Sequence, residues 1–357
     1  MWAKASDGSF MAPDGRVVFI SAERFEKDIC IGGGCFMCGA ALGSVPFNDE
    51  HIIPEWVLRR FDLFNKKITL PNERPIPYGQ YKLPCCKTCN SDLGRLIETE
   101  ISEAFRGGHA GLAAYAETKG TKLLFLWMGL LFLKAHLKDQ QLRFHADVRK
   151  GTERIGELYD WRELHHLHAL VRAPYTEARI SPEAFGSLLI LPMNGADNEF
   201  DYGDLYIPQV NYVQLGDVAV IAVMNDSHAA LSKLYDWIER LTGRLSNVQL
   251  RELAVHFATV NLALKERPRF ATMADSTKEQ VEIVTFRPPY VELNDIDYEQ
   301  RGQMMLHTLG PRLSRLRVPG LTPEQITKGI ETGKVTFLFD EHGKFSQSIE
   351  IDEQRTK

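Results

Sequence analysis

All six cysteines of this 357-residue chain (Cys30, Cys35, Cys38, Cys85, Cys86 and Cys89) fall in its first quarter, and none follows residue 89. Four of them form two C-x-x-C pairs, Cys35/Cys38 and Cys86/Cys89. A disulfide-stapled secreted protein spreads its cysteines through its core, whereas pairs clustered in one segment read as metal ligands. Zinc takes four tetrahedral ligands, and a C-x-x-C turn offers two thiolates at the required separation. The two turns therefore predict one closed structural zinc site tying residues 35–38 to residues 86–89. Cys85 is an alternative ligand to Cys86, although the spacing favours Cys86; Cys30 is left over.

Between the pairs lies Asp49-Glu50-His51-Ile52-Ile53-Pro54, and Asn90 follows Cys89 directly. Hydrolysis of a phosphodiester needs a deprotonated water and neutralisation of the charge that develops on phosphate and leaving oxygen. A histidine with a pKa near neutrality can take the proton, which makes His51 the candidate base. A divalent cation can supply the charge. It keeps several waters, so one or two oxygen-bearing side chains suffice to hold it. Glu50 offers a carboxylate beside the base, and Asn90 offers an amide oxygen at the start of a helix, fixed by its bond to Cys89. Glu98, about two helical turns further on, is a weaker candidate for the same ion and reads more simply as a solvated helix residue. A regular strand sends Glu50 and His51 to opposite faces, so both can serve one phosphate only if the strand ends or distorts there.

The order C-x-x-C, acidic-His-Ile-Ile-Pro, C-x-x-C-Asn resembles the zinc-containing branch of the HNH endonucleases, and Cys89-Asn90-Ser91-Asp92-Leu93-Gly94 matches the start of that family's helix. The resemblance covers about residues 28–105. It implies a ββα-metal fold with His51 as general base and with Glu50 and Asn90 as ligands of one Mg²⁺ or Mn²⁺. It also implies in-line attack leaving 5′-phosphate and 3′-hydroxyl ends, and double-stranded DNA as the substrate. The family's middle Asn usually stands a few residues before the second C-x-x-C. Here Gln80, Tyr81 and Lys82 stand there and Asn72 lies upstream, so the group that braces His51 is not identified. Glu50 takes the place of the commoner Asp. Lys82 and Lys87 are candidates for phosphate contacts, but isolated lysines are ordinarily surface residues.

The whole chain reads as α+β: an N-terminal ββα-metal (HNH) domain with its four-cysteine zinc site over 1–108, then a larger mixed α+β domain over 109–357, with a subdivision near 180 left open. The expected elements are a strand pair over 10–30, a helix after Pro54, a helix from Asn90 to about Phe105, and mostly helix over 109–175. Strands follow over 185–223, then two helices over 227–241 and 247–265, and a hairpin turning at Glu341-His342-Gly343. His165-His166-Leu167-His168 has metal-ligating side chains but no carboxylate or cysteine partner. Arg312, Arg315 and Arg317 form a basic cluster that reads first as a solvated loop.

A net charge of −5 argues against coating nucleic acid by bulk charge, so any such binding rests on a local basic surface or on metal ions. The longest apolar run, Leu123 to Leu133, falls short of the roughly 20 residues a membrane span needs. The first residues lack an apolar signal segment, and together these predict a soluble cytoplasmic protein. Cutting DNA does not require so large a second domain, which points to a regulatory or targeting role. Large domains fused to such modules resemble bacterial anti-phage defence effectors, a likeness of architecture alone. Two other readings stay open. One is a latent nuclease activated through its C-terminal domain by a protein partner or ligand. The other is a non-catalytic, zinc-stabilised nucleic-acid-binding module.

Overall fold

Proline removes a ladder donor, so a strand that contains one lies at a sheet edge. In the computed structural model, which describes residues 2–346 apart from 146, 197, 198, 319 and 334, Phe47–His51 (β1) pairs antiparallel with Lys82–Cys86 (β2) as a two-stranded ribbon. Both strands of a ribbon are edges, which accommodates Pro84. Phe47 stands opposite Cys86 and His51 opposite Lys82. The helix Lys87–Leu93 (α1) follows at once, so the local order is strand, strand, helix. Pro54 precedes the helix Glu55–Arg60, and the proline-rich return folds into a small hairpin, Lys67–Thr69 with Pro75–Pro77. After α1 the chain continues through a π turn, Gly94–Glu98, into Thr99–Arg106.

By its contacts the chain forms two units, and the protein is of mixed α+β type. The first unit comprises Met1–Arg106, Gly120–Ala184 and Arg269–Phe286. Its core is built on Lys122–Asp139 (α2), which is apolar around its circumference and must therefore be buried. Trp127 packs against Trp56 and Phe105, with ring centroids 6.0 and 5.3 Å away. His165–Thr176 (α3) lies against α2. A hairpin of Arg269–Asp275 with Gln280–Phe286 pairs in parallel with Arg179–Ile180.

The strand pair expected over 10–30 is shorter than anticipated. Phe10–Met11 pairs with Val17–Phe19, and the chain turns helical at Ala22, because the Ser21 side chain caps the new helix by accepting from the Arg24 N–H at 3.1 Å.

The second unit comprises Gly107–Lys119, Phe185–Pro268 and Arg287–Lys357. Four strands, Leu188–Pro192 (β3), Phe200–Leu205 (β4), Val210–Leu215 (β5) and Val218–Val223 (β6), form an antiparallel sheet in the order β4-β5-β6-β3. β5 and β6 are buried at every residue, so both faces are covered. The helices Gly108–Lys119 and Asn247–Leu262 pack on this sheet. Near the C-terminus, the expected hairpin is a tight turn at Asp340–Gly343 closed by a single Phe339–Phe345 bridge. Among the described residues no single helix is long and apolar enough to cross a membrane.

Candidate functional site

The first C-x-x-C pair sits in a tight knuckle. Gly39 N–H donates to Cys35 O and Cys35 N–H donates to Ala40 O, both at 2.8 Å, and Gly39 takes φ +73°. Gly34 is required beside it, because a Cβ there would come within 2.8 Å of Ala40 O. The second pair straddles the β2–α1 junction. Cys86 is the N-cap of α1, its sulfur accepting from Cys89 N–H at 3.4 Å, and Cys89 lies in the first turn.

The Sγ atoms of Cys35, Cys38, Cys86 and Cys89 all lie within 4.8 Å of one another and could hold a metal ion. Cys38 and Cys86 sulfurs are 3.9 Å apart. Cys85 Sγ also lies 3.9 Å from Cys35 Sγ, but it falls outside the group of four. Hydrogen bonds from Cys38, Cys85 and Cys89 pull the Cys35 thiol far down, while its bond to Cys35 pushes Cys38 up to about 12. A bound cation would let four thiolates share so small a volume.

α3 braces this cluster along one face. His168 Nε2 donates to Phe36 O at 2.9 Å, Tyr175 OH donates to Cys89 O at 2.5 Å, and the buried Arg172 donates to Val17 O. Burial brings the Arg172 guanidinium down to about 10, while Cys38 and Cys89 oppose that shift. Its charge therefore faces a cluster that, as four thiolates around Zn²⁺, would carry −2. The other histidines of this segment are occupied in the same way. His165 Nε2 donates to Ile20 O at 2.8 Å and His166 Nε2 to Ala184 O at 3.2 Å. A carbonyl only accepts, so each of these ring nitrogens carries its proton and ligates nothing. The triplet, which in sequence lacked the partners of a metal site, is a set of backbone staples.

Glu50 and His51 end β1. The ladder keeps its register to the last pair, so their side chains leave on opposite faces and the strand stops at His51. The His51 ring meets Phe64 edge-on, with centroids 5.9 Å apart, and its buried Nε2 has no hydrogen-bond partner among the described residues. Burial, then Lys82 across the ladder, lowers its pKa below 6.5, which keeps the imidazole neutral. Asn90 in α1 donates its amide N–H to Asn48 Oδ1 at 3.1 Å, which leaves its own oxygen for another partner. Asn48 lies two residues before Glu50 and so on the same face of β1.

Glu50 is committed in a way the sequence did not disclose. Lys134 of α2, with no solvent exposure, places its Nζ 2.8 Å from Glu50 Oε1, 2.8 Å from His51 O and 3.8 Å from Glu98 Oε1. Glu98 is thus not the solvated helix residue expected. Burial pushes its carboxyl up to about 7, against the pull of Lys134. Lys134 reads in sequence as the flank of an apolar run. The available signal was that the apolar pattern resumes after it, which places the lysine indoors and in need of a partner.

Asn72 is buried and its contacts are structural. Its side chain donates to Arg143 O at 3.1 Å and accepts from Arg74 N–H, bracing the small hairpin. What holds the His51 backbone is Lys134 on its carbonyl and the next ladder bond, Ile52 N–H to Tyr81 O at 2.9 Å. In the second unit Arg312 pairs with Asp201 at 3.3 Å, and Arg317 folds back on Ser314 and Leu316 carbonyls. Compared with protein families, with curated proteins and with solved structures, the chain finds no match in any of the three.

Proposed function

We propose that this protein is a metal-dependent endonuclease hydrolysing phosphodiester bonds in double-stranded DNA, with Cys35, Cys38, Cys86 and Cys89 holding a structural Zn²⁺. The observation that carries this reading is a neutral histidine with a buried, partnerless Nε2 at the end of a strand. That strand is paired to a second one whose far end joins the cysteine cluster and the helix bearing Asn90. Four thiol sulfurs suit zinc by number and softness.

The oxygen donors of Glu50 and Asn90 suit a hard divalent cation. Lys134 takes one oxygen of Glu50 and Asn48 takes the amide N–H of Asn90, which leaves Glu50 Oε2 and Asn90 Oδ1 to hold Mg²⁺ or Mn²⁺. Such an ion would offset charge developing on the phosphate and the leaving oxygen. His51 Nε2 takes a proton from the attacking water, which its neutral state at physiological pH allows. Because Glu50 and His51 diverge along β1, a phosphate reaches both only past the end of the strand.

The test is nicking of supercoiled plasmid in Mg²⁺ or Mn²⁺, beside an EDTA control and His51→Ala. Metal-dependent nicking that disappears in the variant supports the reading, with 5′-phosphate and 3′-hydroxyl ends expected. Equal nicking by both proteins refutes His51 as the base. One observation favours a latent form of the same enzyme: Nε2, the atom that must meet water, is shut off from solvent. Nicking that emerges only after a partner or ligand is added would select that form.

A further inference from the structure

A lysine with no solvent exposure is costly to bury unless it is fully paired. Here it makes two hydrogen bonds and one longer ion pair. Lys134 reaches from α2 to Glu50 Oε1 and His51 O, at 2.8 Å each, and faces Glu98 Oε1 at 3.8 Å. Glu98 arrives at the close of the π turn that interrupts the helix after Asn90. The contacts thus join the strand end carrying Glu50 and His51, the helix carrying Asn90, and the core helix. With both carboxylates ionised, which for the buried Glu98 requires a pH above about 7, two carboxylates and one ammonium give this cluster a net charge of −1. Without the ammonium it would carry −2, with two carboxylates free to converge on the same cation.

Resting on the nuclease reading above, we propose that Lys134 is a positioning residue for the divalent cation. It takes one oxygen of Glu50, so that Glu50 presents a single oxygen to the ion, it attracts Glu98 across 3.8 Å, and it fixes the backbone of His51. It touches neither substrate nor the reacting atoms. Its role is to keep Glu98 out of the ion's coordination and to hold the base and the ligand in one register.

The experiment, run well above pH 7 so that Glu98 is ionised, measures Mn²⁺ binding by electron paramagnetic resonance, together with plasmid nicking. It compares the wild-type chain, Lys134→Met and the double variant Lys134→Met/Glu98→Gln, with zinc content as the check on folding. Removing a positive charge next to a metal-binding carboxylate strengthens cation binding by Coulomb attraction. Lys134→Met should therefore bind Mn²⁺ at least about tenfold more tightly while nicking at least about tenfold more slowly. The double variant restores the net charge of −1 and should return both quantities toward wild type.

Tighter binding with slower cleavage is not what a merely damaged fold produces. Unchanged binding and nicking in Lys134→Met would overturn the proposal. So would a joint loss of zinc, Mn²⁺ binding and nicking that the second substitution does not repair, and so would wild-type protein that binds no Mn²⁺. If the binding pattern holds while no protein nicks DNA, the nuclease reading fails and the role of Lys134 in cation binding stands.

Discussion

Replacing Cys86 by Ser removes one of four sulfurs and, with it, the clip that closes the chain between the two knuckles. Cys38 and Cys86 are 48 residues apart in sequence. Cross-linking a loop of that length lowers the entropy of the unfolded chain by an amount worth about 4 kcal/mol at room temperature. A metal clip acts on the unfolded chain in the same way. For a unit of this size each kcal/mol moves the melting point by about 2–4 °C, so losing the clip should lower it by about 8–16 °C. The assay is zinc content by mass spectrometry together with thermal unfolding followed by near-ultraviolet circular dichroism. Wild type should carry one zinc per chain, Cys86→Ser should lose it and melt in the lower range, and chelator-treated wild type should melt with the variant. Cys85→Ala should keep its zinc, because Cys85 Sγ lies outside the group of four although it is 3.9 Å from Cys35 Sγ. Full zinc in Cys86→Ser, or loss of zinc in Cys85→Ala, would show that the ligand set is misassigned.

Two further outcomes follow from buried charges. Burial holds His165, His166 and His168 below their ordinary pKa of 6.5, His166 at about 3, so the unfolded chain binds more protons than the folded one between those limits. Their contribution to stability is therefore full above pH 6.5 and is lost as pH falls from there toward about 3. Glu98, raised to about 7, acts in the opposite sense over the same range, so the comparison is with His166→Gln. Its urea midpoint should drop less than that of wild type between about pH 7 and about pH 5, and an equal change in both would refute the assignment of a neutral, buried His166. In the second unit, Arg251 is 2% exposed, pairs with Asp201 and donates to Thr308 O at 2.8 Å. Arg251→Met strips a buried carboxylate of its nearer cation and should cost about 3–5 kcal/mol in urea unfolding, partly recovered by adding Asp201→Asn; a cost of the same size in the double variant would show that the charge is not the cause.

The parts of the site that could be read from sequence are those whose chemistry is local. A C-x-x-C turn sets the spacing of its own sulfurs, and Asn90 is placed by the residue before it, so the cysteine group and the strand–strand–helix order were foreseeable. The fate of Glu50 was not, because its partner lies 84 residues away on a helix recognised only by its apolarity. For the three histidines the chain showed that a carboxylate or cysteine partner was lacking, but not what they bind instead. Their ligand chemistry is visible in the chain, but the carbonyls of Ile20, Ala184 and Phe36 that claim their N–H groups are brought up by tertiary structure. The hairpin of Arg269–Asp275 and Gln280–Phe286 escaped notice because its strands are only partly buried and joined by a polar turn, which leaves a weak alternation.

These observations together say where the rigidity of the site comes from. The cysteine cluster fixes Cys89 and hence Asn90. α3 fixes the cluster through His168 on Phe36 O and Tyr175 on Cys89 O. α2 fixes the strand end through Lys134 on Glu50 and on the His51 carbonyl. None of the three supports is made by β1, β2 and α1 alone, and a two-stranded ribbon with one short helix is too small to hold its own geometry in water. A histidine kept neutral by burial and a carboxylate held by a buried ammonium both require that surrounding core. The ribbon and helix carry the candidate side chains, while the residues that hold them in place come from the knuckle at Cys35 and Cys38 and from 120–184.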